Sequence, residues 1–357
     1  MSRRPEAPLA PRPAPRWPSF FDWPTKQVRP REHELPDYQP TRGYGEQEML
    51  PPGLIEGARA SVFAIRADAD AITRFANSFL GGPTGGAITY SALAPLVLVL
   101  FQDAERMTSL AEPVGYIPDK ESAFAVLLWE WDKRGLNLPR PVLWMPYVII
   151  DNSIGLVTGL NVWGYRKEVG SVSVPMPGAP EPYRADTWLF RTLTRESRGE
   201  YTTLYEVQGP STPVAEGTRW TEPAGFGSWL LDKVRQEMGA VGGRVEQGME
   251  QLKSLVLRDH FQLRLPVTNL KQFRDATYPR KACYQALIRN EMVLTRFKLG
   301  GVLGGNYRLN VTPCQSHQIV QSLGLPSYRD IPVAFGVWVE MDYQVTAGSE
   351  TWRARGT

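Results

Sequence analysis

The sequence predicts a mainly β protein, a β-rich α+β chain built on an antiparallel sheet system with few helices. Two observations predict it. Short apolar segments recur along the chain with turn residues between them, the rhythm of a sandwich or barrel. The chain also carries 11 Trp and 14 Tyr within a 42% hydrophobic composition, and aromatic side chains suit the half-buried surfaces of strands. Its 357 residues suffice for one large domain or two ordinary ones.

The elements follow in order. Residues 1–45 are rich in Pro and Arg, with Pro5, Pro8, Pro11, Pro13, Pro15 and Pro18. Proline removes backbone donors and opposes helix, so this stretch reads as an extended arm or linker. Its Trp17, Phe20, Phe21 and Trp23 suggest docking on the body or on a partner subunit. Residues 46–350 read as a single domain. Residues 60–65 read as a strand. Asp68 then caps a helix to about residue 80, with Ala71, Ile72, Phe75 and Phe79 on one side. The glycine-rich run from Gly81 to Gly86 lacks a following Gly-Lys-Ser/Thr and is a turn rather than a phosphate loop. Strands are expected at 93–101, 122–129, 147–150, 156–163, 170–174, 187–190, 282–297, 307–311 and 333–345. Ser228 can cap an amphipathic helix over about 228–258, with Leu231, Val234, Met238, Val241 and Val245 recurring at steps of three and four. Gly239, Gly242, Gly243 and Gly248 each weaken it by about 1 kcal/mol relative to Ala. Such a helix needs a surface, whether the sheet, a lid position or a dimer contact.

Composition narrows the function. Forty basic and 37 acidic residues leave a net charge of +3 with no basic block, so no nucleic-acid partner is suggested. No apolar run reaches the ~18 residues of a membrane span, and no signal sequence opens the chain; a soluble, cytoplasmic protein is expected. Cys283 and Cys314 read as reduced thiols rather than a disulfide framework. His33, His260 and His317 lie far apart in sequence, without metal-ligand spacing, so no metal is expected; nor is a cofactor. Sheet edges and the amphipathic helix suggest a homo-oligomer.

Residues 145–170 read MPYVIIDNSIGLVTGLNVWGYRKEVG. They place a lysine beside apolar segments, which alone is not diagnostic. The stretch resembles the acetoacetate decarboxylase family, whose Gly-x-x-x-x-x-Tyr-Pro-Lys-Lys-x-Gly segment is matched in step by Gly159, Tyr165, Lys167 and Gly170. Upstream, Tyr116, Glu121-Ser122 and Ala125-Val126 resemble the family's Tyr…Glu-Ser-x-x-Ala-Ile strand. The run from Arg66 to Ile72 is similar to its Arg-Thr-Asp-x-Asp-Ala-Leu segment. Downstream, Pro279-Arg280-Lys281-Ala282-Cys283 and Tyr307-Arg308-Leu309 match later segments. The resemblance spans roughly residues 55–345. A stretch at about 191–262 has no clear counterpart and reads as an insertion.

The resemblance implies a double-sheet or cone-like barrel and a lyase that forms a Schiff base between Lys167 and a small keto acid. Glu121 falls on the family's pocket glutamate, for proton transfer or orientation. Arg59 lies within one residue of its substrate-facing arginine, where a planar guanidinium suits a carboxylate. Tyr165 is a proton donor or a packing residue, and Trp163 shares its strand face with Lys167; Glu340 and Tyr343 are within reach. Three positions depart from the family. Arg166 replaces a proline, and Glu168 replaces a second lysine. An apolar residue near Leu100, facing substrate, stands where a further glutamate is expected. Imine formation needs the neutral amine, whereas an ordinary lysine has a pKa of about 10.4; burial among aromatic side chains is expected to depress it. β-Keto acid decarboxylation comes first. Aldolase or dehydratase chemistry on the same iminium, and a non-catalytic ligand-binding relative, are the alternatives.

Overall fold

The computed structural model describes residues 35–36, 38, 43, 48–135, 139–210, 217–238 and 263–356. The Pro-rich arm lies almost entirely outside them. The strands are β1 (Gly53–Arg66), β2 (Ile88–Ala92), β3 (Leu96–Ser109), β4 (Tyr116–Asp132), β5 (Arg140–Ile150), β6 (Lys167–Ser173) and β7 (Tyr183–Leu189). They continue with β8 (Glu200–Gln208), β9 (Arg219–Trp220), β10 (Arg264–Arg274), β11 (Ala282–Val302), β12 (Arg308–Val311), β13 (Ile331–Val345) and β14 (Ser349–Arg353). Four α-helices are described: α1 (Ala69–Ala76), α2 (Ser153–Thr158), α3 (Pro223–Met238) and α4 (Ile319–Leu323). Among the described residues no helix is long and apolar enough to cross a membrane.

The pairings close two circuits. In the first, β1 pairs β3, β3 pairs β4, β4 pairs β5, β5 meets β10, β10 pairs β11, β11 pairs β13, and β13 returns to β1. In the second, β5 passes through β6, β7, β8 and β12 to β13 and returns through β1, β3 and β4. Five strands are therefore shared, so both of their faces meet a core. This explains why β5 is buried at nine of its eleven positions, without the alternation of a one-sided sheet. β8 falls within the stretch read as an insertion, yet it is part of the second circuit.

Aromatic side chains fill the second circuit. Phe63, Phe101, Phe124, Tyr183 and Tyr205 form edge-on and tilted pairs with centroids 4.7–6.3 Å apart, the preferred geometry of ring quadrupoles. Their hydroxyls are satisfied: Ser61 donates to Tyr183 at 3.1 Å and Tyr205 donates to Ser122 at 2.8 Å. The first circuit holds a smaller cluster, including Ala123, Ala125, Leu143, Met145 and Val267, and at one end it is hollow.

Two local readings change. Residues 156–163 are not a strand but α2 followed by a π-helical turn, Gly159–Trp163. The cause is a cap: the Asn152 side chain accepts the Gly155 N–H at 2.7 Å, satisfying a free donor of the first turn, and this outweighs the β-favouring Val157, Val162 and Trp163. α3 starts at Pro223, five residues before Ser228, with proline at its first position, where its missing N–H costs nothing; residues 239–258 of the expected helix lie outside the described residues. The helix capped by Asp68, whose side chain accepts the Asp70 N–H at 2.9 Å, ends at Ala76 and continues as a π-helical turn, Asn77–Gly81.

Candidate active site

Lys167 is the first residue of β6 and pairs with Val148 of β5. Its side chain enters a cavity of about 60 Å³ at the hollow end of the first circuit. At 10–15 Å³ each, that is room for roughly four to six water-sized groups. The wall is mostly apolar and rich in methionine, with Met49, Met107, Met145 and Met292. Its ionisable groups are Lys167, Glu121, Asp119, Tyr165 and Tyr343.

Three glycines set the lysine. A Cβ on Gly159 would lie 2.8 Å from Cδ and Cε of Lys167, so the bare backbone of the π-helical turn makes room for the lysine stem. Gly164 has φ +76 and passes so close to Lys271 that a Cβ would lie 2.6 Å from its Cα. This left-handed residue, natural for glycine, turns the chain from the helical segment into β6. On Gly170, opposite Thr187 of β7, a Cβ would fall 2.1 Å from the Asp186 carbonyl oxygen. These are structural reasons for three of the glycines in the segment that carries Lys167.

Lys167 Nζ donates to Glu121 Oε2 at 2.8 Å, and each side chain is 12% exposed. Burial pulls the lysine pKa down. The Glu121 and Asp119 charges and the hydrogen bond to Glu121 more than offset it, so the amine is held above its ordinary range. The expected depression is therefore not found: the aromatic walls are present, but so are two carboxyl groups. Asp119, which sequence reading missed, is 3% exposed and accepts from Asn152 Nδ2 at 2.8 Å. Burial and the neighbouring Glu121 raise its pKa to about 6, against the pull of Lys167. Its signal was available in the strand period: Asp119 and Glu121 are two residues apart on β4 and share a face.

Trp163 and Tyr165 line the cavity with Lys167, although 163–165 is a helix end and a turn rather than strand. Trp163 donates from Nε1 to the Thr346 carbonyl at 2.9 Å. The Tyr165 ring centroid lies 5.8 Å from Lys167 Nζ; its hydroxyl accepts from Asn290 Nδ2 at 3.0 Å, and burial raises its pKa well above the ordinary range. Arg166 and Glu168 point away, as expected: Arg166 lies over Phe79, and Glu168 accepts from buried His317 at 2.9 Å. Burial works against a charged His317, but its bonds to Cys314 and Glu168 outweigh this and raise its pKa to about 9. Glu168 is thus held off Lys167.

Two expected substrate contacts do not line the cavity. Arg59 binds Asp103 at 3.3 Å and contacts Met176 Sδ. The reason is a bulge in β1 between Ile55 and Ala58, with Gly57 at φ +63. The extra residue puts Ile55 and Ala58 in one cluster with Tyr343 and turns Arg59 the other way. Leu100 packs on the cluster holding Trp163 and Tyr165 without reaching the hollow. Opposite Glu121 on β3 stands Gln102, a buried amide that accepts from the Tyr343 hydroxyl at 3.0 Å. Tyr343 lines the cavity; Glu340, paired opposite Arg59, does not.

No protein-family model and no curated protein sequence matches the chain. Solved structures do. An acetoacetate decarboxylase from Legionella pneumophila is similar over 85% of this chain and 88% of its own, at 12% identity and a TM-score of 0.50. An acetoacetate decarboxylase-like enzyme from Sphingomonas wittichii is similar over 84% and 92%, at 13% identity and 0.48. The enduracididine biosynthesis enzyme MppR, in complex with pyruvate, is similar over 86% and 94%, at 15% identity and 0.46. With its two circuits sharing five strands, the chain has the acetoacetate decarboxylase-like fold.

Proposed function

We propose that this protein is an imine-forming carbon–carbon lyase in which the Lys167 amine condenses with the ketone of a small β-keto acid and releases carbon dioxide. The observation that carries the reading is the Lys167–Glu121 pair, buried at 2.8 Å in the wall of a mostly apolar cavity. A buried ion pair is poor evidence of a gain in stability, because desolvation offsets much of its attraction; in a cavity it is a functional-site candidate. At rest Lys167 is an ammonium. Its proton passes to Glu121, and the free amine adds to the substrate carbonyl. Loss of water gives an iminium. The bond to the carboxylate carbon then breaks, its electron pair moves into the enamine, and carbon dioxide leaves. Protonation at carbon and hydrolysis return the amine. Trp163 and the Tyr165 ring shield the reacting nitrogen from bulk water, which strengthens the electrostatics of each charged step.

A second reading is favoured by one observation: Lys167 is the only cationic side chain among the described residues lining the cavity. With Arg59 turned away, a substrate carboxylate finds no arginine fork among the described residues lining the cavity. That suits aldol or dehydration chemistry on a neutral carbonyl compound through the same iminium. The test is a panel of β-keto acids, β-hydroxy ketones and enals incubated with the wild type and with Lys167→Ala. Lysine-dependent carbon dioxide release supports decarboxylation. Lysine-dependent cleavage or hydration without gas moves the assignment to the second reading. Turnover that survives in Lys167→Ala refutes both.

A further inference from the structure

The site holds a second carboxyl group, one that acts on the amine by charge and not by a hydrogen bond. Among the described residues, the Lys167 amine donates to Glu121. Asp119 stands two residues earlier on the same strand face, about 6–7 Å along the wall by strand geometry. It too lines the cavity. Asn152 fixes one of its oxygens at 2.8 Å, and the same Asn152 caps α2, whose last turns lead to Gly159 and the lysine stem. One neutral amide thus holds together the second carboxyl and the segment that delivers the amine.

We propose that Asp119 is a catalytic acid–base residue, moving the proton at the carbon next to the imine while Glu121 serves the nitrogen. The inference rests on the imine reading. In the forward step the Asp119 carboxyl gives its proton to the enamine carbon; the enamine π pair forms the new C–H bond, and the nitrogen becomes iminium again. In the reverse step its carboxylate takes that proton, and the C–H pair becomes the enamine double bond. A group with this task works best when its pKa lies near the working pH. The ionisable groups facing Asp119 are Glu121 on β4, Lys167 on β6, Asp151 in the turn after β5 and Tyr343 on β13. Their balance with burial leaves Asp119 at about 6.

Acetone in deuterium oxide tests this without knowledge of the natural substrate. The wild type exchanges the methyl protons of acetone through the Lys167 iminium, read by proton NMR, and borohydride traps the adduct on Lys167. Asp119→Asn keeps the Asn152 hydrogen bond. The variant is expected to trap acetone at least as well as wild type, because loss of the Asp119 charge eases deprotonation of Lys167, while its exchange rate falls about 10²-fold, the usual scale of a lost general acid–base. It also loses the limb of the exchange-against-pD profile set by a group near 6. Asp119→Glu, which retains a carboxyl, recovers part of the exchange. Undiminished exchange in Asp119→Asn, with trapping intact, overturns the role of Asp119 alone. A wild type that neither traps nor exchanges overturns the imine reading beneath it.

Discussion

Lys167 Nζ and Glu121 Oε2 lie 2.8 Å apart although 46 residues separate them in sequence. The contact is built by adjacent strands. Glu121 of β4 pairs with Ile150 of β5, and Lys167 of β6 pairs with Val148 of the same β5, so one strand holds both partners. The pair controls when the amine is free. Burial pulls the Lys167 pKa down, but Glu121 and Asp119 more than offset it and hold it above its ordinary range, so the resting amine is protonated. Imine formation with a simple ketone is expected to quicken as pH rises toward that range. In Glu121→Gln the main source of the rise is gone and burial dominates, so the lysine pKa falls. The pH dependence of Lys167 labelling by an amine-selective reagent checks this; an unmoved midpoint in Glu121→Gln contradicts it.

Gly159→Ala tests the seat of the lysine. The added methyl meets Cδ and Cε of Lys167 at 2.8 Å, the movable end of a flexible chain, so the lysine shifts and the fold survives. A displacement of this order costs roughly 10²-fold in rate. Little change in melting temperature is expected, since alanine favours helix more than glycine does. Full activity in Gly159→Ala shows that the stem is not confined there.

Gly170→Ala separates folding from chemistry. Here the obstacle is the Asp186 carbonyl oxygen at 2.1 Å, which is backbone in the neighbouring β7. β6 and β7 must part, at a cost of about 3 kcal/mol or more. Chemical denaturation of the variant measures it. A loss below about 1 kcal/mol, within the reach of small rearrangements, contradicts the packing argument.

Asp119 also leaves a mark on stability. Its folded pKa, about 6, is raised above the ordinary carboxyl value of 3.8. The fold therefore binds this proton more tightly than the unfolded chain. The contribution is fully present below pH 3.8 and is lost as pH rises through about 6. Asparagine carries no such cost. Asp119→Asn is expected to be more stable than wild type at pH 8, on the order of 1–3 kcal/mol, with the gain vanishing near pH 4. A variant less stable than wild type at pH 8 reverses the sign and contradicts the account.

Much of the fold was legible. The shared strands β3, β4 and β5 carry runs such as residues 96–101 and 142–150 whose continuous hydrophobicity reflects a core on both faces. In the site, Lys167, Glu121 and Tyr165 lie in short ordered motifs and line the cavity; Trp163 lines it too, although the strand alternation that suggested it is absent there. Arg59 was misplaced because one bulge residue, Gly57, inverts the face of everything after it in β1, and a bulge leaves little trace in a sequence. Residues 156–163 were misread because Val157, Val162 and Trp163 favour strand, while the helix depends on a single cap by Asn152. The Lys167 pKa was misjudged because the aromatic neighbours were counted, while the charge of Glu121, the larger cause of the rise, and that of Asp119 were not. Two-residue alternation along β4 would have found Asp119.

The central claim is that Lys167 forms a covalent imine. Borohydride reduction in the presence of small ketones and β-keto acids, followed by intact mass and peptide mapping, tests it most directly. The account predicts one reduced adduct per chain on Lys167, absent in Lys167→Ala, with a mass after β-keto acid treatment that lacks the carboxyl group. Adducts scattered over surface lysines, or an equal yield in Lys167→Ala, contradict it.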